Sequence, residues 1–174
     1  MTYYLDLSPY HYYKEVAGLE YFSDPQLASL NVGWLDGSTE YPIGITNDEF
    51  QEKLLEFCFP ENVVNQTRGF HVCNLAACPC PLPHPEKRGE KIAYFGSAEI
   101  RVLGRLAIYA APTFIYHYIA VHHYRPPEDF IDAVLTSPSP NSDEYQNLRR
   151  KIKLLEEAYC ANRKEQANQR HAQE

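Results

Sequence analysis

Apolar positions along the chain fall into two periods, and each predicts its own kind of element. Phe50, Leu54, Phe57 and Cys58 recur at helical spacing behind Thr46 and Glu49, which read as a capping box, and Pro60 stops the run. This predicts a helix near 46–59. Ile115, Tyr118, Ile119 and His122 stand at i, i+3, i+4 and i+7 after Pro112, predicting a second helix over 112–123 with one buried stripe. A third, over 127–136, opens on Pro127, Glu128 and Asp129 and turns Phe130, Ile131, Val134 and Leu135 inward.

Between the first two helices the period changes to two. Residues 92–95, 98–103 and 106–110 read as strands, and in the middle one Ala98, Ile100 and Val102 share one face while Glu99 and Arg101 share the other. A further strand over 31–35 ends at the turn signal Asp36-Gly37, and Asp24-Pro25 marks the start of a brief helix. The expected fold is therefore α+β: a small antiparallel sheet, from 31–35 and 92–110, packed against three or four helices. Residues 1–135 form a single globular domain in this reading, and 136–142 are a linker by composition. Residues 143–174 make a C-terminal charged amphipathic helix with a frayed end. Its Tyr145, Leu148, Ile152, Leu155 and Tyr159 form an a/d seam of about two heptads. That seam can dock on the chain's own body, form a homodimer through 145–159, or meet a partner.

Charge sharpens the picture of partners. The chain carries a formal −7, and residues 1–141 hold 9 basic against 17 acidic side chains, leaving 7 and 6 in the tail. An acidic body repels phosphate backbones, so nucleic acid is disfavoured and a protein partner or small molecule is expected. The N-terminal MTYYLDLSPYHYYKEV has no basic segment followed by a continuous apolar run, and no stretch approaches eighteen apolar residues. We therefore expect no membrane span and a cytoplasmic protein.

In a reducing compartment, clustered cysteines bind metal or do redox work more often than they form disulfides. Three of the five cysteines and two of the seven histidines lie within fourteen residues, as His71-x-Cys73-x-x-x-x-Cys78-x-Cys80-x-x-x-His84. Thiolate and imidazole are ligands that zinc prefers, and a Pro-rich segment with little to bury gains order from ligation. Two other readings stay open: small, partly buried thiols on a loop, and a Cys-x-Cys redox pair. Cys58, at the end of a helical stripe, reads as a core thiol.

His117, His122 and His123 form a second group. Five or six residues along a helix turn the imidazoles away from one another, so they are not expected to hold one ion as a helical pair. His122, on the apolar stripe, reads first as a hydrogen-bonded core residue, while His117 has a route to a site built by the Cys loop. Glu99 reads as an outward-facing strand carboxylate, or else as a general base beside a metal-bound water. No His-Glu-x-x-His box, nucleophile elbow or Gly-rich phosphate loop is present.

The blocks Leu5-Asp6-Leu7-Ser8-Pro9-Tyr10, Asn31-Val32-Gly33-Trp34-Leu35-Asp36, Thr67-Arg68-Gly69-Phe70-His71-Val72-Cys73, Gly96-Ser97-Ala98-Glu99-Ile100-Arg101, Tyr109 to Pro112, and His117 to Pro127 together resemble a group of small bacterial proteins. The resemblance spans most of residues 2–135. It implies a cytoplasmic bacterial α+β domain of no assigned activity, and matching polar positions at His71, Cys73, Glu99, His117 and His122. Cys80, His84 and the heptad tail lie outside the shared pattern.

The candidate ligands are thus Cys73 and Cys78, with two more from His71, Cys80, His84, His117 and His122. The leading expectation is a zinc-binding domain whose metal is mainly structural, acting as a binding or interaction module. The alternatives are a metal-dependent hydrolase with Glu99 activating a zinc-bound water, and a metal-free regulatory or immunity-type interaction protein.

Overall fold

A computed structural model describes residues 2–10, 29–105 and 107–151. Its elements run β1 (Ser29–Asn31), α1 (Asp48–Phe57), β2 (Glu86–Arg88), β3 (Lys91–Ala93), β4 (Glu99–Leu103), β5 (Ile108–Pro112), α2 (Ile115–His122) and α3 (Glu128–Thr136), with further helical turns over 143–151. The class is α+β. The brief helix expected at Asp24-Pro25 lies outside the described residues, as do most of the heptad positions.

The main sheet has the order β1-β5-β4 and is mixed, where a purely antiparallel one was expected. β4 and β5 form the antiparallel pair, but β1 runs parallel to β5, with Ser29 opposite Ile108 and Asn31 opposite Ala110. Parallel pairing needs a long crossover, and everything from residue 32 to 107 supplies one. Chain 91–93 does not join β4; it pairs with β2 across the turn Gly89-Glu90 as a separate two-stranded ribbon.

Local chemistry shifts several boundaries. Asn47, not Thr46, caps α1: its side chain accepts from the Phe50 N–H at 2.9 Å, and Phe50, Leu54, Leu55 and Phe57 face the core. Pro112 ends β5 rather than starting a helix, because Thr113 still donates its N–H to Ala98 and prolongs the pairing. Helix α2 therefore begins at Ile115. The close approach of this helix to residue 33 demands glycine there: Gly33 has φ +71, and a Cβ would lie 2.7 Å from the Ile115 side chain.

The core is aromatic. Phe130 of α3 meets Phe50 and Tyr109 edge-on, with centroids 6.3 and 5.7 Å apart, and α1 packs on both α2 and α3. Tyr145, the first heptad position, is fully buried; its ring packs on Phe57 at 5.6 Å and its hydroxyl donates to the Arg101 carbonyl. No described helix is long and apolar enough to cross a membrane.

Both faces of β4 are covered, which corrects the reading of Glu99 as solvent-facing. Ile100 and Val102 enter the main core, while Glu99, 3% exposed, lies beneath Tyr10 and Arg101. An alternating strand looks half-exposed only until another segment covers its polar face. Here residues 4–10 do so, bridging to Leu30 and Trp34.

Candidate metal centre

Four side chains from two distant segments converge. Cys73 and Cys78 come from the loop after residue 70, and His117 and His122 from α2; one ligand atom from each lies within 4.8 Å of every other. Cys73 Sγ is 3.4 Å from His122 Nε2, and Cys78 Sγ is 3.4 Å from His117 Nε2. Zinc bonds of about 2.3 Å to sulfur and about 2.0–2.1 Å to nitrogen set the S···N edges of a tetrahedron at about 3.5 Å. The two Cys–His distances match that edge, and the four residues could hold a metal ion.

The loop is shaped for this. Cys73 donates its N–H to the Pro81 carbonyl at 2.8 Å, Leu75 is buried as an anchor, and Ala77 takes a left-handed φ of +53 that turns the chain into Cys78. The Leu75 N–H points at the Cys73 sulfur, where it stabilises the thiolate. Burial acts the other way and dominates, so without a cation the Cys73 thiol is pushed up to about 11.

The helix contributes what its spacing did not promise. At 100° per residue, His117 and His122 stand about 140° apart on an ideal wheel, yet their rings are 5.2 Å apart and crossed at 72°. The loop covers the helix face between them, and each imidazole leans toward it from its own side. His122 is the last helical residue, since His123 takes the left-handed conformation and ends α2. The expectation that a five-residue offset along the helix keeps the two imidazoles apart is therefore corrected.

Burial, and then the neighbouring His122, holds His117 down at about 4, and burial lowers His122 as well. Both imidazoles are thus neutral at pH 7 and have a lone pair to give. Phe114 packs on His117 at 5.1 Å, and Tyr118 lies beside both histidines, so the shell around the site is aromatic.

The remaining candidates sit elsewhere. Cys80 donates to the Leu82 carbonyl at 2.9 Å, and His84 is exposed in the Pro-rich run. His71 is exposed and not in the group, although its N–H binds the Gly96 carbonyl at 2.8 Å. Gly96 (φ +91) is held under Phe114, where a Cβ would lie 2.9 Å from the ring. Cys58 is a fully buried thiol, raised in pKa by that burial. Glu99 is not in the group either: its Oε2 accepts from Tyr10 Oη and Arg101 Nη1, each at 2.7 Å. Sequence reasoning had all four convergent residues among its candidates but missed Tyr10 and Arg101, whose only signal was their place in the shared blocks.

Residues 2–135 match the family described as a domain of unknown function, DUF7919. The chain belongs to that family. The match ends at Leu135 and so contains all four convergent side chains as well as the Glu99 cluster. No curated protein and no solved structure matches the chain.

Proposed function

We propose that the chain is a zinc-binding module of the bacterial cytoplasm, in which the metal is structural and orders a loop for contact with a partner protein. The observation that carries this reading is the mutual 4.8 Å clustering of two thiols and two imidazoles drawn from segments about forty residues apart. Two sulfurs and two nitrogens suit zinc, and four protein ligands complete a tetrahedron with no position left for a reactive water. Glu99, engaged by Tyr10 and Arg101, has no role in that shell.

The loop's outer surface supports an interaction role. Phe70, Val72 and Leu82 are 60%, 53% and 62% exposed on or beside the segment that the ligands hold. Apolar side chains fixed on a rigid loop lose little entropy on binding.

The deciving experiment is metal analysis of untagged protein purified without added zinc or chelator, joined to X-ray absorption at the zinc edge. One zinc per chain with two sulfur and two nitrogen neighbours is the expected result. Protein free of metal, with the Cys73 and Cys78 thiols both free to react with a thiol reagent, overturns the reading.

A further inference from the structure

Beside the metal centre, but separate from its four ligand atoms, lies a second polar site. Glu99 is only 3% exposed, and among the described residues only one of its oxygens is engaged. Oε2 accepts from Tyr10 Oη and Arg101 Nη1 at 2.7 Å and from Asn65 Nδ2 at 3.4 Å. Oε1 has no hydrogen-bond partner among the described residues. Buried carboxylate oxygens are rarely left so, because the desolvated acceptor gains nothing in return for the water it gave up.

A small cleft of about 30 Å³ lies against Glu99, walled also by Trp34, Asn65, Thr67, Ser97 and Ala98. That is space for roughly two waters, or for one ammonium group. The polar atoms positioned there need donors. The Thr67 hydroxyl proton is committed to the Gly69 and Ser97 carbonyls, at 3.0 and 3.1 Å, which leaves its oxygen as an acceptor. Arg101 lies 4.6 Å over the Tyr10 ring and so is fixed against Oε2, unable to swing to Oε1 without losing that contact. The chain's net charge of −7 adds a field that gathers cations.

We propose that this cleft receives the protonated amino group of a small primary amine, with Glu99 Oε1 and Thr67 Oγ1 as its acceptors. The indole of Trp34 supplies an aromatic wall, and the rest of the ligand extends outward through the mouth. His71, two residues before Cys73, stands on the rim, so the loop held at the metal centre also borders the cleft.

The test titrates the full chain, as purified, with n-propylamine and with n-propanol, a neutral molecule of similar shape, and follows backbone amide resonances. Propylamine is expected to saturate a single site, moving the amides of Thr67, Ser97, Ala98 and Glu99, while propanol leaves them in place. Glu99→Gln should weaken the amine roughly tenfold or more, as loss of a hydrogen bond to a charged acceptor does. Because that change also disturbs the contact with Arg101, Thr67→Val provides a second arm: it removes the other acceptor at nearly constant shape from a half-buried position and should likewise weaken the amine in a folded protein. Equal responses to amine and alcohol, no saturation, or binding indifferent to Thr67→Val would overturn the proposal and leave the cleft as a pocket for water.

Discussion

The seam between α1 and α3 and the loop that follows residue 70 are both ordered parts of one body, but they are held by different forces. In the seam, Phe50, Leu54, Phe57, Phe130 and Val134 are all fully buried, and Lys53 donates to the Leu135 carbonyl at 2.6 Å to tie the two helices. In the loop, Cys73 and Leu75 are the only buried residues between 71 and 85, and Pro79, Pro81 and Pro85 are exposed. Burying one leucine contributes about 2 kcal/mol, no more than ordering the backbone of one or two residues costs at about 1–2 kcal/mol each. Packing alone cannot hold such a loop. A cross-link to α2 can, and in the proposed zinc reading the four convergent side chains supply it.

Removing the metal therefore gives the largest expected effect. Structural zinc contributes on the order of 10 kcal/mol of apparent binding free energy in small domains, so a strong chelator, or Cys73→Ser with Cys78→Ser, should lower Tm by 10 °C or more. Hydrogen exchange should rise across 71–85 while the α1 amides stay protected. Loss of protection in both regions together would mean that the seam depends on the metal too, and the contrast would collapse.

The chelated protein has its own pH signature. His117 is held near 4 when folded, below its ordinary 6.5, so between those values the unfolded chain binds the extra proton and stability falls as pH is lowered. Cys73 is raised from 9.0 to about 11, so the unfolded thiol ionises first and stability falls again as pH climbs through that window. Chemical denaturation of chelated protein from pH 4 to 11 should trace this dome, and His117→Phe should flatten its acidic side. An acidic limb unchanged by that substitution would show that His117 is not the group responsible.

The seam is probed by Phe130→Ala, which empties a site between Phe50 and Tyr109. It should cost about 3–5 kcal/mol yet leave one zinc per chain. Asn47→Ala, which removes the α1 cap, should cost about 1 kcal/mol and likewise spare the metal. Zinc lost in either variant would tie ligand geometry to the helices' packing more closely than the separate segments suggest.

The same contrast explains what the sequence could reveal. The seam was legible because its helices are amphipathic, and 3.6-residue periodicity is a local signal; α3 was expected at 127–136 and spans Glu128–Thr136. The loop's chemistry was legible as residue types but not as geometry. Which cysteine meets which histidine depends on how α2 lies under the loop, and the 3.4 Å contacts join residues 39 and 49 positions apart. The parallel pairing of β1 with β5 was hidden for the same reason, and Glu99 was misread because the segment that covers it comes from residues 4–10.

The smallest expected effect discriminates best among the ligands. Cys80 and His84 belong to the same Cys/His run as Cys73 and Cys78, and composition alone gives them equal claim. Geometry separates them: the Cys80 thiol points at the Leu82 carbonyl, and His84 is exposed among prolines. Cys80→Ser and His84→Ala should each leave zinc content at one per chain and shift stability by no more than about 0.5 kcal/mol, the usual range for surface changes. His122→Ala, by contrast, should cut zinc affinity severely, because it opens a four-ligand shell. Should Cys80→Ser release zinc while His122→Ala retains it, the metal would be held by the loop alone. The convergence on α2 would then be packing without ligation, and the loop would owe its order to the short Cys-x-Cys spacing instead of to a cross-link with the helix.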